Sequence, residues 1–381
     1  MSREVLEKKI KVLHVVGAMN AAGLETLIMN IYRNIDRSKI QFDFVVQTTE
    51  KCFYDDEIIE MGGRIISHPK PKKGLRRYKD ALEKTIKEYG PYDAIHSHVL
   101  FFSGVVLPVA KKQNIPIRIA HSHNTSDSKT DSILRKIYRQ FMRKEILKNS
   151  THLIGCSKEA GEYVFGNSPV KLGAAKHFPN AIDLTKYKNL SKDKSYLIKE
   201  LEISTDATII GHIGRFTRQK NHVFIIEIFS AFLKEDPNAH LVLVGDGDER
   251  DNIVKLVHEK RLGNNVHFLG LRKDIEYILS SIDVFLFPSL YEGLGIVLVE
   301  AQAAGVPCVI SKQIPVEADL DIGLVKSLNL SDGTQSWISA IKESMIIDTP
   351  KWDNLELALI DCGYDINASS QRLLNIYCGD E

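Results

Sequence analysis

FPSLYEGLGIVLVEAQAAGVPCVIS, residues 287 to 311, is the stretch from which the rest of the chain can be read. The β-branched and aromatic run Val284 to Phe287 predicts a strand that ends at Pro288. Ile296 to Ala304 predicts a helix, closed by Gly305 and Pro307, and Val306 to Ile310 predicts the next strand. The product is a βαβ unit. In open α/β sheets, ligands lie beyond the carboxyl ends of strands, where unpaired N–H groups and the helix dipole favour negative charge. Gly293 and Gly295 stand there, and without Cβ atoms they let the N–H groups of Gly293, Leu294 and Gly295 approach a phosphate or a sugar hydroxyl. Glu292 and Glu300 frame the turn. A helical rise of ~1.5 Å per residue would set them roughly 10 Å apart. Carboxylates accept from hydroxyl pairs, so Glu292 suits a sugar ring and Glu300 a ribose, with a diphosphate over the glycines between them. The competing reading is a surface glutamate and a helix salt bridge.

The spacing of glutamate, seven residues and glutamate, flanked by PS, EGLG, EA and G-V-P, resembles the retaining nucleotide-sugar glycosyltransferases of family four. KVLHVVGAMNAAGLETLIMNIYRNID (residues 11–36) and FDFVV (residues 42–46) are most similar to the bacterial capsular and exopolysaccharide members. That resemblance implies the α/β GT-B architecture, two Rossmann-like domains with parallel sheets facing across a cleft. It also implies a nucleotide-sugar, most simply a UDP-sugar, as substrate, a hydroxyl of a glycan or polyprenyl-linked glycan as acceptor, and no required cofactor or metal.

The amino-terminal half alternates predicted strands (Ile10–Val16, Phe42–Gln47, Ala94–Ser97, Ile115–Ala120, Leu153–Cys156) with helices (Leu24–Asn34, Tyr78–Tyr89), the pattern of a parallel sheet covered on both faces. GAMNAAG, residues 17–23, is not the dinucleotide fingerprint, and no acidic residue ends the second strand, which weakens an NAD reading. By resemblance Gly17 and Gly23 line the acceptor side, although Ala22 stands where the family usually has glycine. IHSHV and AHSHN put His96, His98, His121 and His123 at two strand ends, where the pairs are expected to face the mouth of the cleft. No zincin spacing or matching carboxylate set accompanies them. The family places one histidine of the second pair beside the transferred sugar. His123 matches best and His121 next, with His98 a further acceptor-side candidate.

HFPNAID, residues 177–183, marks the boundary: residues 1–180 form an acceptor-side domain and residues 181–363 a nucleotide-sugar domain. The helical segment 364–378 is expected to pack back on the first, as in GT-B enzymes. The second half opens with IIGHIGRFTRQKN, residues 209–221, where Gly214, Arg215 and Lys220 precede a helix, an anion-site arrangement that matches the family's diphosphate-binding Arg and Lys. LVLVGDGDER (residues 241–250) is a buried strand entering a turn in which Gly245 and Gly247 approach the nucleotide; its DGD reads as a turn and not a metal motif. By resemblance the base stacks near Leu271 and Arg272.

With 381 residues, 44% hydrophobic and 26% charged, the composition suits two ordinary domains. The longest apolar runs fall short of the ~18 residues of a membrane span, and Met1–Lys11 is charged, so the expected location is the cytoplasm. The formal charge of +1 hides a basic first half and an acidic second. KPKKGLRR (residues 70–77) and ILRKIYRQFMRKEILK (residues 133–148) concentrate the positive charge, the latter with Ile133, Ile137, Tyr138, Phe141 and Ile146 at helical spacing. These features predict peripheral contact with an anionic membrane, whereas no nucleic-acid motif accompanies them. The five cysteines fit neither a disulfide framework nor a zinc spacing and read as buried reduced thiols. Arg215, Lys220 and the 293–295 backbone would stabilise the leaving diphosphate, with Glu292 and His123 beside the sugar. A nucleotide-sugar epimerase of the same architecture, an NAD-dependent oxidoreductase and a non-catalytic scaffold of a polysaccharide assembly complex are the alternatives.

Overall fold

A computed structural model describes residues 9–126 and 131–380; most of the charged start, residues 1–8, lies outside the described residues. The strands are β1 (Ile10–Val15), β2 (Ile40–Val46), β3 (Arg64–Ser67), β4 (Ala94–Ser97), β5 (Ile117–Ser122), β6 (His152–Gly155) and β7 (Ala175–His177), then β8 (Thr208–Ile213), β9 (Ala239–Val244), β10 (Val266–Gly270), β11 (Val284–Phe287), β12 (Cys308–Ser311) and β13 (Val325–Leu328). They form two all-parallel sheets, ordered β3-β2-β1-β4-β5-β6-β7 and β10-β9-β8-β11-β12-β13. In each, the order reverses beside the first strand, between β1 and β4 and between β8 and β11. Such a switch point leaves a crevice at the carboxyl ends of its two strands.

Parallel strands need helical crossovers, and these cover both faces of a sheet. Alternation along β1 divides its residues accordingly. Val12 and Val16 pack with Leu27, Ile31 and Tyr32 of the helix Gly23–Asn34 and with Leu373 and Tyr377 of the helix Ile366–Cys378. Leu13 and Val15 pack on the other side with Tyr78, Leu82, Val106 and Ile146, from the helices Leu75–Tyr89, Ser103–Lys112 and Ile133–Asn149. In the second sheet Ile210, Leu241 and Leu286 pack with Ile225, Phe229, Trp337 and Ile341.

Two compact units follow, Met1–Ala181 with Ile366–Glu381, and Ile182–Asp365. Buried apolar side chains tie the returning helix to the first unit, and the Arg372 guanidinium donates to the His177 carbonyl at 2.9 Å. The helix Ser103–Lys112 escapes the periodicity of the sequence because Val105, Val106, Leu107, Val109 and Ala110 are all buried and Pro108 sits inside it. The cysteine expectation needs correcting. Cys52, Cys156 and Cys308 are buried free thiols, but Cys362 and Cys378 end or follow surface helices and are exposed.

Candidate functional site

At the switch point of the second sheet, two loops are bound to each other. After β8 the chain runs through Gly214 and Arg215, turns through Arg218–Lys220, and enters the helix His222–Phe232 from Asn221, whose φ of 58° is left-handed. After β11 it runs through Pro288 to Glu292. The Leu290 N–H donates to the Gln219 carbonyl at 2.8 Å, and the Asn221 amide donates to the Pro288 carbonyl at 3.1 Å. Across this seam the Lys220 ammonium donates to Glu292 Oε1 at 2.7 Å and lies 4.5 Å from the centre of the Phe287 ring. Gln219 Nε2 donates to Glu292 Oε2 at 3.1 Å and to the Tyr291 carbonyl at 3.0 Å. The Lys220 and Glu292 side chains are 15% and 6% exposed, so this is a largely desolvated pair. Arg215, by contrast, is exposed and has no ion pair among the described residues. The two cations are therefore in different states: Lys220 is pre-positioned by a carboxylate, while Arg215 is available to an incoming anion.

Gly293 and Leu294 are buried, and Gly295, with φ of 84°, turns the chain into the helix Ile296–Ala303. That helix has no side-chain cap, and although the Leu298 N–H donates to the Gly295 carbonyl at 2.8 Å, those of Ile296 and Val297 at its start remain for a ligand. Glu300 is one turn inside it, not two, because Glu292 to Gly295 is loop. The helical rise consequently does not set the separation of the two glutamates. Burial pushes the Glu300 carboxyl up to about 7, with Lys186 opposing and Glu276 adding to the shift. No hydrogen bond or ion pair engages it among the described residues. A half-buried carboxylate with open acceptor positions suits a hydroxyl pair.

The neighbouring glycines serve the rim itself. A Cβ on Gly245, where φ is 132°, would lie 2.2 Å from the Gly214 carbonyl oxygen. One on Gly247, where φ is 155°, would lie 2.5 Å from that of Phe216. The Gly214 N–H donates to Val244, that of Gly245 to Gly270 and that of Phe216 to Asp246, so the loops after β8, β9 and β10 are laced together. Close backbone passage already accounts for Gly245 and Gly247 without a nucleotide. Arg272 is likewise committed: it pairs with Glu200 and Asp274 and donates to the Tyr196 hydroxyl at 3.1 Å, while Leu271 beside it is exposed.

In the first unit the histidine expectation is corrected. His96, His98, His121 and His123 do not face an open mouth; all are buried, and His14 of β1 joins them. Residues i and i+2 of a strand share a face, and parallel pairing sets His14 opposite His96, so three adjacent strands bring five imidazoles together. They form two chains. One runs from the Tyr377 hydroxyl to His96 Nδ1 at 2.7 Å, then from His96 Nε2 to His121 Nδ1 at 3.2 Å. The other joins His14 Nδ1 to His98 Nε2 at 3.0 Å and His98 Nδ1 to His123 Nε2 at 2.9 Å. His14 Nε2, His121 Nε2 and His123 Nδ1 have no partner among the described atoms. Burial lowers all five pKa values, those of His14 and His123 to about 3, so the cluster is neutral. His14, His96 and His98, and likewise His98, His121 and His123, bring nitrogens within 4.8 Å of one another, a donor set that could hold a transition metal. Their nitrogens also serve as one another's hydrogen-bond partners. Gly17 is exposed, with open space where a Cβ would stand, and Gly23 opens its helix after Ala22 in extended conformation. No close approach at Gly17 demands glycine.

Sequence reasoning missed Gln219, Asn221, His14 and Tyr377. The i, i+2 alternation carries His14 onto the His96 face once β1 and β4 are paired; Tyr377 lies in the segment expected to return to the first domain, but nothing in the sequence singles out His96, 281 residues away, as its partner.

Comparison with known proteins places these observations in context. A model described as "Glycosyltransferase Family 4" matches residues 21–186, and one described as "Glycosyl transferases group 1" matches residues 193–320. The chain is 36% identical over 372 residues to the putative glycosyltransferase EpsF of Bacillus subtilis, covering 96% of each. It is 27% identical over 379 residues to the capsular polysaccharide biosynthesis glycosyltransferase CapH of Staphylococcus aureus, covering 97% of this chain and 98% of that one. Among solved structures, Anabaena HepE in complex with UDP superposes with a TM-score of 0.76 at 19% identity, over 98% of this chain and 100% of that one. WaaG, a glycosyltransferase involved in lipopolysaccharide biosynthesis, gives 0.73 at 16%, over 97% and 100%. Both are similar in fold.

Proposed function

The chain belongs to glycosyltransferase family 4, with the GT-B fold, and on that premise we propose that it transfers a sugar from a nucleoside diphosphate, UDP in the simplest case, to a hydroxyl of a glycan or lipid-linked glycan during assembly of a surface polysaccharide. The observation that carries the donor assignment is the switch-point site. A desolvated Lys220–Glu292 pair, an exposed and unpaired Arg215 and an uncapped helix start lie at the carboxyl ends of β8 and β11. HepE, similar in fold, is described in complexes with UDP and with UDP-glucose, and the relatives named for capsule assembly support the acceptor class.

Breaking a sugar–phosphate bond builds negative charge on the leaving diphosphate and positive charge on the anomeric carbon. Arg215, Lys220 and the N–H groups of residues 293–295 meet the first charge, and Glu292, shared with Lys220, holds sugar hydroxyls. We assign retention with same-face attack, the departing phosphate oxygen taking the acceptor proton. Arg215 and Lys220 then supply the neutralisation for which other transferases use a divalent ion, so activity is expected to survive chelation. His123 orients sugar or acceptor from the imidazole cluster, and the acceptor side works at an anionic membrane surface. Among the described residues no helix is long and apolar enough to cross a membrane.

Thermal shifts with UDP, GDP, ADP, CMP and NAD test the donor class, since ligand at about 100 times its dissociation constant adds ~2.7 kcal/mol. One diphosphate should stabilise the protein and the others much less. No shift with any nucleotide would move the assignment to a scaffold, and turnover of a sugar nucleotide without acceptor would favour the epimerase.

Glu300 adds a pH dependence whose sign is fixed. Its folded pKa, about 7, lies above the ordinary 4.5, so its contribution to stability is full below pH 4.5 and is lost as pH rises through 7. The shift corresponds to ~3 kcal/mol, and the residue's partial exposure places the effect nearer 1–2 kcal/mol. Glu300→Gln should therefore stabilise the ligand-free protein at pH 8 while weakening nucleotide binding. Urea melts at pH 5 and 8 that respond equally to the substitution would refute this.

A further inference from the structure

We propose that His98, His121 and His123 form a binding site for one transition-metal ion of the zinc class, with His14 and His96 holding the ligand rings from behind. The five imidazoles cannot satisfy one another. A neutral ring has one N–H and one lone pair, and each contact between two rings uses one of each. Along His14, His98 and His123, whichever way the protons run, one end keeps an N–H and the other a lone pair. Those ends are His14 Nε2 and His123 Nδ1, and neither has a partner among the described atoms. The chain from Tyr377 through His96 ends in the same way at His121 Nε2. All five rings are at most 8% exposed, and a buried polar atom left unpaired costs ~1–3 kcal/mol. Such a cluster calls for a ligand.

The nitrogens identify its class. His98, His121 and His123 each offer one, all within 4.8 Å of one another. The triad of His14, His96 and His98 is as close, but it contains one of the three unpartnered nitrogens and the outer triad contains two. His98 Nδ1 and His123 Nε2 face each other at 2.9 Å. An ion in place of the proton between them needs ~3.3 Å, the spacing of two nitrogens ~2.0–2.1 Å from a tetrahedral centre. His121 Nε2 supplies the third bond. A metal-bound imidazole carries its proton on the other nitrogen and donates it, and the partners for that are in place. His121 Nδ1 meets His96 Nε2 at 3.2 Å, and His98 Nε2 meets His14 Nδ1 at 3.0 Å. His96 Nδ1 then donates to the Tyr377 hydroxyl at 2.7 Å, so one arrangement of protons serves all of these contacts. A cavity of about 10 Å³ bounded by His14, His96, His98 and His121 leaves the rings room to close on the ion. A donor set made only of imidazole favours Zn²⁺, Co²⁺, Ni²⁺ or Cu²⁺ over Mg²⁺ and Ca²⁺, which take oxygen. What occupancy does rests on the reading that His123 lies beside the transferred sugar. A dication there opposes the positive charge that develops on the anomeric carbon, so the metal inhibits transfer and its removal does not.

The test titrates the untagged full chain, dialysed against chelator and desalted, with Co²⁺ and then Zn²⁺. One Co²⁺ per chain should bind with the visible d–d absorption of a tetrahedral nitrogen site, Zn²⁺ should displace it, and Mg²⁺ should not bind. His121→Gln and, separately, His123→Gln each remove a ligand and should weaken binding by more than ~100-fold, whereas His14→Leu removes only the partner of His98 and should weaken it ~10–100-fold. His123 lies nearest the rim, so His123→Gln keeps the test decisive should His121→Gln not fold. His240→Gln/His267→Gln removes the other imidazole pair, on β9 and β10, and should bind as wild type. A cobalt spectrum without tetrahedral bands would overturn the proposal. So would a signal that survives in both ligand variants or is lost only with His240 and His267. Saturating zinc should slow sugar transfer about tenfold or more, and chelator should restore the rate. Zinc binding at an unchanged rate would overturn the inhibitory role. Stoichiometric zinc binding with no thermal shift from UDP would leave the site standing and remove the donor assignment, which separates the two failures.

Discussion

Lys220→Met should reduce transferase activity by a factor of 100 to 1,000 and also destabilise the fold, and the two losses have separate origins. Removing one pre-oriented group that meets developing charge costs ~3–4 kcal/mol in the transition state. Independently, Lys220 is the cation 2.7 Å from a Glu292 carboxylate that is 6% exposed, and removing one partner of a buried pair costs ~3–5 kcal/mol because the other charge stays behind. The pair is not fully buried, so ~3 kcal/mol is expected, with Gln219 still donating to Oε2. Lys220→Met/Glu292→Gln removes both charges and should recover most of the stability without recovering activity. Arg215→Ala supplies the contrast: exposed and unpaired, it should leave stability within ~0.5 kcal/mol while weakening UDP binding about tenfold. Calorimetric titration with UDP and urea melts on the four proteins decide the matter. Unchanged UDP affinity in both Lys220→Met and Arg215→Ala would sink the donor assignment.

The same residues show what could be read from the sequence. The strand Val284–Phe287, the helix at Ile296 and the glycine turn between them follow from short-range rules: β-branched runs, helix formers closed by glycine, and no Cβ where the chain turns at positive φ. Alternating strands and helices also imply two parallel sheets, because each short strand needs a crossover. What sequence could not supply was pairing across distance. Lys220 and Glu292 are 72 residues apart, and reading each against an absent ligand, one for phosphate and one for sugar, hid their bond to each other. Gly245 was read as approaching the nucleotide, and apart from any ligand the Gly214 carbonyl of a neighbouring loop requires glycine there. The histidines were misplaced for a related reason. A strand end in isolation opens to solvent, whereas here the returning helix Ile366–Cys378 brings Tyr377 onto His96 and closes the face. The short strands β3, β7 and β13 lie at or beside the sheet edges, where half-burial weakens the apolar pattern by which they could be found.

That closed cluster makes the first unit labile in mild acid, and this is the largest pH effect expected of the molecule. His14, His96, His98, His121 and His123 all have pKa values lowered by burial, with Tyr377, Phe42, Phe44 and Phe178 among the rings around them. When the folded value lies below the unfolded one, the stability it contributes is present above the unfolded pKa of 6.5 and is lost as pH falls toward the folded value, about 3 for His14 and His123. Each proton that only the unfolded chain binds steepens the loss by ~1.4 kcal/mol per pH unit. Five acting together would exhaust a net stability of ~5–15 kcal/mol within about two pH units below 6.5. In the second unit buried His212, His222 and His240 and half-buried His267 act in the same direction, but they are four against six, since buried His68 adds to the five of the first unit. The two tryptophans, Trp337 and Trp352, both belong to the second unit, so their fluorescence follows that unit while far-ultraviolet circular dichroism follows both. On titration from pH 8 to 4, ellipticity should fall first, between pH 6 and 5, with tryptophan emission changing only at lower pH. Urea midpoints that stay level from pH 7 to 5 would mean the cluster already carries a charge in the folded state, and the low pKa values argued from its burial would be wrong.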